Sequence, residues 1–193
     1  MTLPERIFFT GVPGSRWSGI AQTLEQLSGF NTSDRTVDRE YIHSNFSGHK
    51  GAYFGRLMEF DAVLDEAHID QAWTSITGTR LVKSHDWAYC LDQINLQFPN
   101  DWIILVYRDD TSSFQWWKEA GGFDIQYPNY QSYVNDDIMQ QEIAWQNQHI
   151  KEFAQAHQLQ WSQFNSEWIA DTFAQTLSVP TTWNDIQITI LKK

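Results

Sequence analysis

The chain has 193 residues, a length that fits one domain with a core large enough to need no covalent staples. Its formal net charge of −11 argues against non-specific binding to nucleic acid or to an anionic membrane surface. The single cysteine, Cys90, excludes an internal disulfide framework and is typical of a reducing compartment. No signal-like leader opens the chain and no apolar run approaches a membrane span, so we expect a cytoplasmic protein.

The basic residues are unevenly distributed along the chain. Ten of the 13 lysines and arginines lie in the first 118 positions. Between Glu119 and Leu191 only Lys151 is basic. An anionic ligand is therefore expected to bind the first part of the chain.

The segment Arg6–Ser18 predicts a buried strand, a sharp turn and the start of a helix. The apolar run Ile7–Phe9 is typical of a buried parallel strand, and the glycines and proline of Gly11–Gly14 favour a turn. Ser15 or Ser18 is expected to cap the helix that follows. The apolar face of that helix is formed by Ile20, Leu24 and Leu27.

A glycine turn before a helix N-terminus favours anion binding, because free N–H groups and the positive end of the helix dipole meet there. Arg16 adds a full positive charge. The nucleotide-binding pattern G-x-x-x-x-G-K-S/T is not met: counted from Gly11, Arg16 and Trp17 replace its second glycine and its lysine, and only Ser18 matches. The turn is thus no standard ATP or GTP loop, and an ordinary strand–helix connection is an equal alternative.

The middle of the chain contains the strongest strand signal. Asn31–Gly55 is polar and glycine-rich and predicts an irregular segment, whereas Asp61–Ile76 has helical periodicity. Arg80–Lys83 predicts a second core strand, and Asp86 begins a helix. Trp102–Tyr107 is apolar on both faces and rich in β-branched residues, which favours a central strand.

The second half of the chain is predicted to be mainly helical. The predicted elements are a helix from Asp109 through Trp117 or beyond, a loop at Gly121–Tyr133, a long helix at Val134–Gln158, a strand at Leu159–Phe164, and a helix capped by Ser166 that ends near Leu177. Ile186–Leu191 is predicted as either a strand or a docked tail.

This alternation of strands and helices predicts a single α/β domain over residues 1–193, with three α/β/α layers and a mainly parallel central sheet. Ligands of such sheets bind beyond the carboxyl ends of the strands. Three strand ends carry suitable groups: Gly11–Ser18, Lys83–His85 and Arg108. Together they predict a pocket for a ligand with more than one anionic group and a histidine beside it.

The sequence LVKSHDWAYCL followed by WIILVYRDD resembles the cytosolic-type sulfotransferases, in which one strand ends in Lys-Thr/Ser-His and a later apolar strand ends in Arg. TGVPGSRWS resembles the first loop of that family, and the resemblance covers Arg6–Trp117 in order. It implies a P-loop NTPase-like fold. It also implies binding of 3′-phosphoadenosine 5′-phosphosulfate and transfer of its sulfuryl group to a hydroxyl or amine, which leaves adenosine 3′,5′-bisphosphate.

The resemblance also implies roles for individual residues. Lys83 would lie near the bridging oxygen, His85 would be the general base, and Arg108 would bind the 3′-phosphate. The 5′-phosphosulfate would be held by Gly14, Ser15, Arg16, Trp17 and Ser18.

The chain departs from the family pattern at several positions. The first-loop lysine of the family is Gly14 here, although Arg16 could replace its charge. Trp116 stands where the family has a serine for the 3′-phosphate. Ser112, one helical turn earlier on the same face, could substitute for that serine. The glycine-rich basic loop that closes over the nucleotide in the family has no visible counterpart.

Other interpretations of these residues remain open. His85 could be a buried polar residue, Arg108 could pair with an acid, and Trp17 could pack on the sheet rather than stack on adenine. His49 and Lys50 could contact an acceptor or simply be solvated. The alternatives to a sulfotransferase are a nucleotide or small-molecule kinase on the same fold and a non-catalytic nucleotide- or glycan-binding protein.

The expected partners are small molecules. The acceptor would be a small molecule, a lipid or a glycan, contacted by the two predicted loops. We expect no nucleic-acid partner, and no metal because the histidines lack paired ligand spacing.

Overall fold

A computed structural model describes residues 2–34, 40–42, 50–52, 64–124, 132 and 134–193. In these residues the strands are β1 (Arg6–Gly11), β2 (Phe30–Asn31), β3 (Glu40–Ile42), β4 (Lys50–Ala52), β5 (Thr79–Lys83), β6 (Trp102–Tyr107), β7 (Ser162–Gln163) and β8 (Gln187–Leu191). The α-helices are α1 (Trp17–Leu24), α2 (Glu66–Asp70), α3 (Leu91–Gln97), α4 (Asp110–Glu119), α5 (Asp136–Ala156) and α6 (Ser166–Phe173). Short 3₁₀ turns lie at Asp86–Tyr89, Gly122–Asp124 and Thr181–Trp183.

The main sheet has the strand order β2-β5-β1-β6-β8-β7. The first four strands are parallel, whereas β8 runs antiparallel to both β6 and β7. The sheet is therefore mixed, and the prediction of a mainly parallel sheet holds only for its β2-β5-β1-β6 part. Since Gly11 is in register with Val106, and Phe9 with Lys83, the carboxyl ends of β1, β5 and β6 meet at one edge.

Apolar side chains cover both faces of the sheet. On one face, Ile7 and Phe9 of β1 belong to a buried cluster with residues of α1 and α6. On the other face, Phe8 belongs to a cluster with residues of α3 and α5. Because alternate residues of a strand point to opposite faces, β1 is buried on both sides, and the chain forms helix, sheet and helix layers.

The strand at Trp102–Tyr107 is confirmed residue for residue, and the second core strand begins one residue before its prediction. Ile186–Leu191 is a strand rather than a docked tail, since every residue of β8 pairs with a residue of β6 from Ile103 to Tyr107. The predicted strand at Leu159–Phe164 is reduced to β7, which has two residues. The helix predicted from Asp86 is instead a 3₁₀ turn followed by α3.

Two predicted helices differ at their boundaries. Asn165, not Ser166, caps α6, because its side chain accepts from the Trp168 N–H, while the Ser166 hydroxyl accepts from the Val179 N–H. Within the predicted helix Asp61–Ile76, only α2 is helical among the described residues.

Much of both predicted loops lies outside the described residues. In Asn31–Gly55, the described part includes the antiparallel pair β3–β4, and His49 falls outside it. In Gly121–Tyr133, residues 125–131 and 133 lie outside the description. Across the described part of the chain, no helix is both long enough and apolar enough to cross a membrane.

Candidate functional site

The turn between β1 and α1 is fixed by Gly14. This residue has a φ of +78°, and a Cβ at this position would lie 1.8 Å from the Ser113 carbonyl oxygen of α4. The Ser15 N–H closes the turn by donating to the Val12 carbonyl at 3.0 Å. A side chain larger than hydrogen at position 14 would therefore separate the turn from α4.

The start of α1 differs from its prediction. Neither Ser15 nor Ser18 caps the helix; the N-cap is Arg16, in the left-handed conformation with a φ of 62° and no side-chain cap hydrogen bond. The Ser15 side chain is fully buried, and its Oγ has no hydrogen-bond partner in the described part of the chain. The α1 N-terminus thus retains a buried hydroxyl that can serve a ligand.

The guanidinium of Arg16 lies over the Trp116 ring, 3.5 Å from its centroid. Its Nε is buried without a hydrogen-bond partner among the residues described. Burial lowers the pKa of Arg16, and the nearby charge of Arg108 lowers it further. Trp116 therefore orients a cation beside a second cation, an arrangement that favours an anionic ligand.

His85 is buried beneath the first turn. Its side chain is 1% exposed, and Nδ1 is hydrogen-bonded to the carbonyl oxygen of Gly11. A carbonyl can only accept, so Nδ1 carries the proton and Nε2 the lone pair. Burial lowers the pKa of His85 to about 3, which keeps the imidazole neutral at pH 7. The Trp17 ring packs against the imidazole with 4.4 Å between centroids, so Trp17 fills the space that the sequence predicts as an open crevice.

Lys83 forms a buried ion pair with Glu25. Its Nζ is 2.6 Å from a carboxylate oxygen of Glu25, and the two side chains are 4% and 2% exposed. Glu25 follows the last residue of α1, about 12 Å along the helix from the end that packs on His85. The prediction that Lys83 and His85 reach one reaction centre required a Lys83 ammonium near the strand ends, whereas this ammonium is paired with Glu25 beyond the last residue of α1.

Arg108 joins the first turn to the end of β6. Its Nη1 donates to the Gly14 carbonyl oxygen at 3.0 Å, and its Nε donates to Asp185 Oδ2 at 2.7 Å. Arg108 thus has an acidic partner, which was one of the alternatives that the sequence left open. This partner is Asp185, 77 positions later, and not the neighbouring Asp109 or Asp110. The guanidinium both holds the turn and remains at the predicted site.

Ser112 serves the N-terminus of α4. Its backbone N–H and its hydroxyl both donate to Asp109 Oδ1, at 3.1 and 3.3 Å. The hydroxyl is therefore already used in the helix cap that Asp109 provides.

Sequence reasoning missed Asn147, a fully buried residue of α5. Its Nδ2 donates to the Arg108 carbonyl at 2.9 Å and to Asp110 Oδ1 at 2.5 Å, which fixes the end of β6. A signal was present, because Asn147 lies at helical spacing between the apolar residues Ile143 and Ile150.

A cavity of about 610 Å³ lies at the opposite, amino edge of the sheet. Arg80, which is 2% exposed, lies in its wall with Asp70, the two side chains approaching to 3.3 Å. Other lining residues include Leu3, Glu5, Gly29, Ile76, Gly78 and Phe173. A ligand could also bind in this cavity, which lies at the opposite edge of the sheet from the strand ends where the sequence predicts the site.

Within the described ranges, no group of three or more His, Cys, Asp and Glu side chains could hold a metal ion. Comparisons of the chain with family models, with curated proteins and with solved structures found no match.

Proposed function

We propose that this chain is a sulfotransferase that uses 3′-phosphoadenosine 5′-phosphosulfate and transfers its sulfuryl group to a hydroxyl or amine. The observation that carries the proposal is the joining of three strand ends at the first turn: His85 bonds the Gly11 carbonyl and Arg108 bonds the Gly14 carbonyl. These residues of the sulfotransferase-like motifs lie at one edge of the sheet, whereas Lys83 of the same motifs is paired with Glu25.

A P-loop NTPase-like fold is part of this proposal. Its support is the strand–turn–helix unit of β1 and α1, with β1 in the middle of the parallel strands. The antiparallel β8 and the missing nucleotide-loop lysine are the features by which this chain would differ from a simple parallel P-loop protein.

The cluster fits an anionic cofactor. The buried Ser15 hydroxyl and the α1 N-terminus offer hydrogen bonds, and Arg16 and Arg108 offer two positive charges. Lys83 does not fit this role while it is paired with Glu25, so the proposal assigns charge stabilisation to the two arginines.

When bound, the cofactor would supply the sulfuryl group and a nucleotide leaving group. His85 would act as general base, because its neutral imidazole has the lone pair on Nε2 and can take the proton of the acceptor hydroxyl or amine. General-base catalysis of this kind is worth about 10²–10⁴-fold in rate. Arg16 would offset the negative charge that develops on the leaving oxygen, as a preorganised donor worth about 3–4 kcal/mol.

The proposal requires a movement of Trp17. His85 is 1% exposed and the Trp17 ring lies against its imidazole, so the proposal has the indole move aside before an acceptor reaches Nε2. We expect cofactor binding at this turn to displace the indole, because Trp17 is the first residue of α1 and follows the turn directly.

A non-catalytic nucleotide-binding protein is the second candidate function. Two observations favour it: Lys83 is held in a buried ion pair, and His85 is covered by Trp17. The arginines could then bind the nucleotide without any transfer. Catalysis separates the two candidates, whereas binding does not.

The first experiment measures binding of adenosine 3′,5′-bisphosphate by isothermal titration calorimetry. We expect Arg108→Ala to weaken binding about 10- to 100-fold, because it removes charge-assisted hydrogen bonds worth about 1.5–3 kcal/mol. Lys118→Gln is the control, since it removes an exposed lysine that pairs with Asp136. Preference for ATP with Mg²⁺ would favour a kinase, and absence of binding to either nucleotide would reject the proposal.

The second experiment uses 3′-phosphoadenosine 5′-phosphosulfate with a labelled sulfuryl group. It measures transfer of this group to a panel of phenols, sugars and amines, or its release as sulfate. The sulfotransferase proposal predicts that His85→Ala retains bisphosphate binding and loses transfer. Wild-type protein that binds the bisphosphate but transfers no sulfuryl group to any acceptor would favour the non-catalytic candidate. Unchanged turnover in the variant would reject His85 as the base.

A further inference from the structure

We propose that the Asp185 carboxylate occupies the place of an anionic ligand at Arg108, and that it competes with this ligand and sets its affinity. The identification of the ligand as an adenosine 3′,5′-bisphosphate group rests on the proposed function. The competition itself depends only on the contacts of Arg108.

Two of the five N–H donors of Arg108 have partners among the described residues. A guanidinium binds a phosphate or sulfate bidentately through one of two edges, Nε with Nη2 or Nη1 with Nη2. Asp185 takes Nε, so the Nε–Nη2 edge already has one of its donors in use, while the Gly14 carbonyl takes one of the two Nη1 hydrogens. Bidentate binding of an anion at the Nε–Nη2 edge therefore displaces Asp185.

Asp185 is the partner that can leave. The Gly14 carbonyl belongs to a turn packed directly against the α4 backbone. The Asp185 side chain, by contrast, is 42% exposed and follows the 3₁₀ turn Thr181–Trp183, so water can replace Arg108 as its partner. An incoming anion would then take the same Nε–Nη2 edge.

The charges around Arg108 lead to the same conclusion. Arg16 lies close enough that the charge of Arg108 lowers its pKa, whereas the charge of Asp185 raises it. The Asp185 carboxylate therefore offsets the repulsion between two cations. A bound anion would also offset this repulsion. Loss of the Asp185 carboxylate would leave the repulsion between Arg16 and Arg108 less compensated, which strengthens the binding of an anion.

The test compares Asp185→Asn with Asp171→Asn, which removes the same charge from an exposed position of α6. Dissociation constants for inorganic sulfate and for adenosine 3′,5′-bisphosphate are measured by calorimetry at constant ionic strength. We expect Asp185→Asn to tighten binding of both anions about 3- to 10-fold, and Asp171→Asn to change it less than about twofold. Asp185→Ser, which also lacks the charge, should match Asp185→Asn.

Weaker or unchanged sulfate binding in Asp185→Asn and Asp185→Ser would overturn the proposal, since Asp185 would then position Arg108 rather than compete for it. Absence of sulfate binding in all variants would overturn it equally. The proposed function fails by a different result: the bisphosphate would bind no more tightly than sulfate, whatever the effect of Asp185.

Discussion

Replacing Glu25 by Gln removes the carboxylate 2.6 Å from the Lys83 ammonium and leaves an amide of similar size. Because both side chains are nearly fully buried, the ammonium then lies in the protein interior without this carboxylate opposite it. Breaking a buried ion pair by removing one partner costs about 3–5 kcal/mol. For a chain of this length, each kcal/mol lowers the melting temperature by about 2–4 °C, so we expect a decrease of about 6–20 °C.

Urea denaturation monitored by tryptophan fluorescence measures the loss of stability directly. Glu167→Gln, at an exposed position in the first turn of α6, is the control and should change the free energy of unfolding by less than about 0.5 kcal/mol. The double variant Glu25→Met with Lys83→Leu should recover most of the loss, because it removes both charges and retains their volume. A loss below about 1 kcal/mol in Glu25→Gln would refute a buried ion pair.

The same pair of residues bears on the site. With Nζ held at Glu25, Lys83→Met should lower stability and leave the affinity for adenosine 3′,5′-bisphosphate within about twofold of wild type. The opposite result, normal stability with lost affinity, would place Lys83 at the ligand, as the sulfotransferase resemblance implies.

The remaining predictions concern the first turn and His85. Gly14→Ala should lower the free energy of unfolding by more than about 3 kcal/mol in a thermal melt, since its Cβ would lie 1.8 Å from the Ser113 oxygen. Gly122→Ala is the control and should lower it less, because the nearest atom to its Cβ would lie at 3.5 Å. Between pH 6.5 and 3 the His85 imidazole is protonated in the unfolded state but neutral in the folded state, where burial lowers its pKa to about 3. The free energy of unfolding therefore falls by up to about 1.4 kcal/mol per pH unit as the pH decreases. His85→Gln should reduce this slope in urea titrations at pH 7, 6 and 5, whereas His149→Gln, at an exposed position, should keep it; an equal slope in both variants would contradict the buried neutral imidazole.

The parts of the fold that the sequence predicts well depend on local pattern. Trp102–Tyr107 is apolar on both faces, and a central strand covered by two helix layers buries all of this segment except Tyr107, which is partly buried. The common edge of the first turn, His85 and Arg108 followed from the parallel order of their strands. Their shared location was therefore predictable, although the covering of His85 by Trp17 was not.

The parts that the sequence could not predict depend on contacts between distant positions. Glu25 and Lys83 are 58 residues apart, and Arg108 and Asp185 are 77 residues apart. No local pattern indicates which lysine pairs with which acid. The left-handed conformation of Arg16 could not be predicted for another reason. Local sequence favours Ser15 or Ser18 as the N-cap of α1, but the packing of the turn places Arg16 at that position.

The central claim is that one anionic ligand binds where β1, β5 and β6 end. Titration of ¹⁵N-labelled protein with adenosine 3′,5′-bisphosphate, followed by backbone amide NMR, tests it most directly. We predict that the amides of Gly11–Ser18 other than Pro13, which has no N–H, shift together with those of Ser84–His85 and Arg108 with a single dissociation constant, while Gly78 at the opposite edge stays unchanged. Shifts confined to Gly29, Gly78 and Arg80, around the amino-edge cavity, or no saturable shift at all, would contradict the claim.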